Sequence, residues 1–189
     1  IPYRIGPATN LLPGVAKTTQ NQQVNMKLAK FFSLIAVLFV ACAASAQLPS
    51  IELKNLEGKV VNVSQLSNEG KPFVISFFAD WCHPCKRELR AIHEVYADWQ
   101  DETGMKLFAV SEDEAHNINK VKPTVESEGW EYDVLLDPNG DFMRAMGVQA
   151  IPHVFVLDGK GNIVYSHSGY TEGSEQAIID KIREVIAKQ

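Results

Sequence analysis

The feature that most constrains this chain is the run Phe73-Val74-Ile75-Ser76-Phe77-Phe78, followed after three residues by Cys82-His83-Pro84-Cys85. The run is almost wholly apolar and rich in β-formers, which predicts a strand buried on both faces. From Pro84 to about Gln100 the periodicity changes. Leu89, Ile92, Val95, Tyr96 and Trp99 recur at spacings of three and four, one face of a helix. Pro84 suits an early helical position, where a missing N–H costs nothing. Cys82 is thereby placed where a buried strand turns into a helix N-terminus.

The remaining elements continue the alternation. Ile51–Leu53 and Val60–Val63 read as extended segments around the turn Asn55–Lys59, and Ser64–Ser67 as a helical turn. Met105–Ser111 reads as a strand and Asn117–Glu128 as a polar helix, kinked or broken at Pro123. Tyr132–Leu136 is a short strand. Asp137-Pro138-Asn139-Gly140 is turn chemistry, and Asp141–Met146 a short helix ending at Gly147. Val154–Leu157 and Asn162–Ser166 flank Asp158-Gly159-Lys160-Gly161 as a hairpin. Ser174–Lys188 carries Ile178, Ile182, Val185 and Ile186 on one side of a last helix. The expected class is α/β: a central mixed sheet flanked by helices, with an N-terminal β-hairpin extension.

Charge divides the chain unevenly. Of 18 basic and 23 acidic residues, Arg4, Lys17, Lys27 and Lys30 fall within 1–46, which hold no acid; residues 47–189 are left with a net charge of −9. Within 26–46, the positive Met26–Lys30 precedes the apolar Phe31–Val40 and then Ala44-Ser45-Ala46, the three parts of a secretory signal with its cleavage site. The run is short of the roughly 20 apolar residues that span a bilayer. The expected organisation is 1–25 as a non-native or upstream segment, 26–46 as signal peptide and 47–189 as one exported, periplasmic domain. Phe39-Val40-Ala41-Cys42 loosely resembles a lipobox, so a lipoprotein anchored through Cys42 is the alternative. The acidic balance gives no reason to expect nucleic acid as a partner.

Cleavage after Ala46 removes Cys42 and leaves Cys82 and Cys85 as the only thiols of the mature chain. A bridge across two residues closes too small a loop to restrict the unfolded chain much, so the pair reads as redox-active rather than structural. Disulfide exchange needs a thiolate, a nearby resolving thiol and access for a partner. A helix N-terminus favours the thiolate of Cys82, and Cys85, one turn further in, is the resolving thiol. A partly protonated His83 would stabilise that thiolate further and pull the pair towards an oxidant; equally it is an exposed residue of little effect. One C-x-x-C without a second paired set is too few ligands for structural zinc, so no metal is expected.

Phe77-Phe78-Ala79-Asp80-Trp81-Cys82-His83-Pro84-Cys85-Lys86 resembles the thioredoxin-superfamily active site, and Gly147-Val148-Gln149-Ala150-Ile151-Pro152 resembles that family's G-V-x-x-x-P element. The likeness covers nearly all of 47–189 and is closest to exported proteins of the TlpA/ResA type. It implies a thioredoxin-like fold, a cis Pro152, and substrate contact by Ile151, Pro152 and His153, where Thr is common in place of His153. It implies redox tuning by Trp81, His83 and Pro84. Ser76 stands where cytoplasmic thioredoxins carry a buried aspartate, which makes Glu88 the substitute proton acceptor for Cys85; otherwise Glu88 is a solvated helix residue.

The expected activity is thiol–disulfide exchange with exported protein thiols and disulfides, as a reductase. The expected chain is a monomer supplied by a membrane or exported thiol donor. No cofactor beyond the Cys82–Cys85 disulfide is expected, since no G-x-G-x-x-G fingerprint is present. A thiol peroxidase and a non-enzymatic thiol-dependent binding or chaperone module are the alternatives. The peroxidatic P-x-x-x-T-x-x-C pattern is absent.

Overall fold

The computed structural model describes residues 48–188. The leader assignments, 1–25 and 26–46 with Cys42, lie outside the described residues. Seven strands form one mixed sheet: β1 Glu52–Asn55, β2 Val60–Asn62, β3 Phe73–Phe78, β4 Lys106–Ser111, β5 Asp133–Leu136, β6 His153–Leu157 and β7 Ile163–Ser168, in the order β2-β1-β5-β4-β3-β6-β7. β3, β4 and β5 are parallel; β6 and β7 continue antiparallel on one side, and β1 and β2 on the other. Four helices cover the sheet: α1 His83–Thr103, α2 Val121–Glu128, α3 Asp141–Ala145 and α4 Gln176–Ile186. The α/β class read from the alternation is the one observed.

β3 is buried along its whole length, and its two sets of alternate residues face two cores. Val74 and Phe78 meet Leu89 and Ile92 of α1, Val125 of α2 and Ile178, Ile179 and Ile182 of α4. Phe73, Ile75 and Phe77 face Phe142 of α3, Val148 and Leu66. Phe77 lies between Phe142 and Phe155, with ring centroids 5.1 and 6.1 Å away. α1 outruns its expected end and stops at Gly104, whose φ of 64° suits a residue without Cβ.

Two expectations change. Pro123 neither kinks nor breaks a helix: a 3-10 turn at Ile118–Lys120 precedes α2, which starts at Val121. Pro123 therefore falls in the first turn, where backbone N–H groups have no intrahelical partner to lose. On α4 the buried face is Ile178, Ile179 and Ile182, while Ile186 is exposed.

The β6–β7 turn packs onto the loop before β3. A Cβ on Gly159 would stand 1.7 Å from the carbonyl oxygen of Gly70, so the two backbones meet only because residue 159 has no side chain. Gly159→Ala is expected to lower stability by about 1–3 kcal/mol through overpacking, read as a lower urea midpoint; an unchanged midpoint would contradict the packing.

Candidate active site

The end of β3 and the start of α1 build the site. After Phe78 the chain turns through Ala79–Cys82, closed by the Cys82 N–H donating to the Ala79 carbonyl at 3.0 Å. Cys82 is the N-cap of α1, and Pro84 occupies the first turn. The Cys85 N–H donates to Cys82 Sγ at 3.3 Å, so a free helix-end donor is already aimed at the sulfur that would carry negative charge after reduction. Cys82 and Cys85 are joined in a disulfide, with Cα atoms 5.3 Å apart. Cys82 is 5% exposed and Cys85 fully buried, an asymmetry that gives a partner access to Cys82 alone. Trp81, 63% exposed, and the exposed His83 flank it.

A carboxylate network fixes this turn. The Asp80 N–H donates to Asp113 Oδ2 at 2.8 Å, and the Ser111 hydroxyl donates to the same oxygen at 3.0 Å. Asp80 accepts from the Thr124 hydroxyl of α2 at 2.6 Å and lies 3.7 Å from Lys86 Nζ. Asp113 is wholly buried. Residues from β4, α1 and α2 thus hold the segment that presents Cys82.

Glu88 lies three residues beyond Cys85, on the same face of α1, and is 1% exposed. It accepts a hydrogen bond from the Ser76 hydroxyl of β3 at 3.4 Å. Burial pushes its carboxyl up to about 8; the Ser76 bond opposes this, and the Glu175 charge adds to it. Glu175 in turn accepts from the Tyr170 hydroxyl at 3.1 Å, and the Arg87 guanidinium lies 5.8 Å from the Tyr170 ring. Burial first, then Glu175, raises Tyr170 to about 12.

The Ile151–Pro152 peptide bond is cis, and Pro152 is buried. Ile151 contacts both cores. His153 opens β6 opposite Phe77. Its side chain lies on the sheet face away from α1: its ring is 4.5 Å from Phe155, and its Nε2 is 2.8 Å from Ser166 Oγ. Burial, then the nearby His167, holds the imidazole below its usual range. The structure therefore brings Cys82, Cys85, Pro84 and Glu88 together on α1 with Ser76 beneath, and sets His153 on the other layer. Sequence reasoning missed Asp113, Glu175 and Tyr170. Asp113 follows a strand and carries no motif, and Glu175 is remote in sequence from Glu88.

A sequence profile of the AhpC/TSA family matches residues 44–166. The chain belongs to the AhpC/TSA family. Among relatives of this AhpC/TSA chain, "Thiol-disulfide oxidoreductase ResA" of Halalkalibacterium halodurans is 25% identical over 76% of this chain and 77% of its own length. "Sporulation thiol-disulfide oxidoreductase A" of Bacillus subtilis is 27% identical over 69% and 79%. A solved thioredoxin-like protein from Porphyromonas gingivalis is 62% identical, with a TM-score of 0.69 over 76% of this chain and 94% of that one. The fold is thioredoxin-like.

Proposed function

We propose that this protein, a thiol–disulfide oxidoreductase, reduces disulfides of exported polypeptides through Cys82 and Cys85. The observation that carries the reading is a disulfide at the N-terminus of α1, one sulfur reachable and the other buried one helical turn before a buried carboxyl group of raised pKa. The names of the curated relatives agree with it, and the three-part pattern of residues 26–46 supports export.

In the forward direction the Cys82 thiolate attacks one sulfur of a substrate disulfide. One Cys82–substrate S–S bond forms, and the other substrate sulfur leaves as a thiolate. Cys85 then attacks Cys82 Sγ, closing the internal disulfide and releasing the second substrate thiolate. Two electrons pass to the substrate. The Cys85 thiol must lose its proton for the second attack, and Glu88 is the acceptor. A second exported or membrane-bound dithiol restores the reduced pair.

The protein is expected to accelerate reduction of insulin disulfides by dithiothreitol; no acceleration over dithiothreitol alone would contradict the proposal. Family membership gives a second reading, a thiol peroxidase. Peroxide consumption with the same reductant separates the two: a rate above background without insulin reduction supports the peroxidase, and insulin reduction without it supports the disulfide reductase.

A further inference from the structure

The disulfide has a neighbour at the same end of the sheet. A cavity of 830 Å³ opens beside it, bounded by Trp81 and Ile151, which directly precede Cys82 and Pro152. Met143, Pro138 and Ala150 extend the apolar wall, and Glu112 supplies a carboxyl group. Glu112 directly follows β4, and its N–H donates to the Phe78 carbonyl at 2.8 Å, fixing it next to the strand that leads into the active-site turn. The cavity thus adjoins the two residues, Cys82 and Pro152, that the exchange reading places against the substrate.

One oxygen of Glu112, Oε1, is shielded from solvent and has no hydrogen-bond partner. Buried polar atoms are nearly always paired, so the fold leaves this cavity-lining carboxyl group short of a partner. The nearby groups do not fill that role. Asp137 is occupied by the backbone N–H groups of Asp141, Phe142 and Met143. Arg144 donates to the Asn139 carbonyl and to Asp141. At the rim Glu114 pairs with His116 at 3.4 Å. Burial holds the Glu112 carboxyl up at about 9, with Asp137 and Asp113 adding to the rise and Arg144 opposing it.

We propose that this cavity is a specificity subsite for a lysine or arginine side chain of the substrate, a few residues from its reacting cysteine, with Glu112 as the partner. The proposal rests on the exchange activity argued above. The walls of Trp81, Met143 and Ile151 suit the aliphatic stem of such a side chain, whose charged end reaches the carboxylate. The net charge of −9 over residues 47–189 favours a cationic partner in the same sense. Entry of the cation displaces the Glu112 proton, so recognition strengthens as pH rises.

Two disulfide-linked peptides, identical except for lysine or norleucine two residues from the cysteine, test this on the full domain. At pH 8 kcat/KM is expected to favour the lysine peptide about tenfold, as a charge-assisted bond allows. That ratio should grow from pH 6 to pH 9. In Glu112→Gln the ratio should fall towards one, and in Glu57→Gln, on the exposed β1–β2 turn, it should stay. A wild-type ratio of one at every pH, or a ratio retained in Glu112→Gln, overturns the subsite while turnover of both peptides leaves the exchange activity standing. No turnover of either peptide overturns both. If Glu112→Gln fails to fold by near-ultraviolet circular dichroism, the pH dependence of the wild-type ratio decides alone.

Discussion

Cys82→Ser is expected to lower disulfide-reductase activity by about 10³-fold or more, because no other thiol among the described residues is placed to make the first attack. Cys85 is fully buried, behind Cys82 at the helix N-cap. Cys85→Ser has the opposite signature. Cys82 remains at the N-cap, and its first attack proceeds. The mixed disulfide then has no thiol beside it and accumulates. Non-reducing gels after mixing with a disulfide-bonded protein should show a covalent adduct for Cys85→Ser and none for Cys82→Ser. Adducts with Cys82→Ser alone would reverse the assignment. A double serine variant that kept full function would mean a binding or chaperone module.

Glu88→Gln has two expected effects of opposite benefit. In catalysis the carboxylate accepts the Cys85 proton only when ionised, and burial keeps it protonated until about pH 8. The resolving step should therefore quicken as pH rises towards 8 and level off above. Glu88→Gln should slow that step by about 10²-fold and remove the inflection assigned to the carboxyl. Single-turnover decay of a Cys82 mixed disulfide, followed from pH 6 to pH 9.5, reads both. An unchanged profile would make Glu88 a packing residue.

In stability the sign is reversed. A carboxyl whose folded pKa lies above its unfolded value of 4.5 is protonated in the folded state where the unfolded chain is ionised. Between about pH 4.5 and pH 8 the unfolded state binds fewer protons, so stability falls as pH rises. The penalty is largest above pH 8 and is expected to reach about 3–5 kcal/mol. Glu88→Gln should therefore unfold at higher denaturant than wild type at pH 9 and should show a shallower decline from pH 5 to pH 9. Glu112, raised to about 9, acts in the same direction and leaves part of the slope in place. A variant less stable than wild type at pH 9 would mean that Glu88 is not held against its own charge.

The legible parts of the molecule were those with local causes. The strand Phe73–Phe78 followed from continuous apolarity, and α1 from its periodicity and from Pro84 in its first turn. Pro123 neither kinks nor breaks α2 because a helix-breaking residue is harmless when the helix begins two residues earlier, and that start carries no capping side chain that the sequence could signal. Ile186 shares the apolar side of α4 with Ile178 and Ile182 yet is exposed, because spacing alone does not say where a terminal helix loses its neighbours. At the site, the cysteine pair lay on the surface of the sequence, and Glu88 followed from the family resemblance rather than from any local signal. What surrounds them did not. The Asp113 contact to Asp80 crosses 33 residues, and the field of Glu175 on Glu88 depends on the β7–α4 loop returning to α1. His153, adjacent to Pro152 in sequence, turns to the opposite layer because successive strand residues point to opposite faces.

In the proposed reaction Cys82 and Cys85 form a reversible two-electron couple that donates to substrate disulfides. Its most direct test is the equilibrium of the two thiols with defined dithiothreitol or glutathione buffers, read by thiol alkylation and mass. A single two-electron transition is expected at a reducing potential, about −270 mV, in the range of a thioredoxin-like donor. A transition near about −120 mV would identify an oxidant, and a disulfide that no buffer reduces without unfolding would contradict a reversible couple outright.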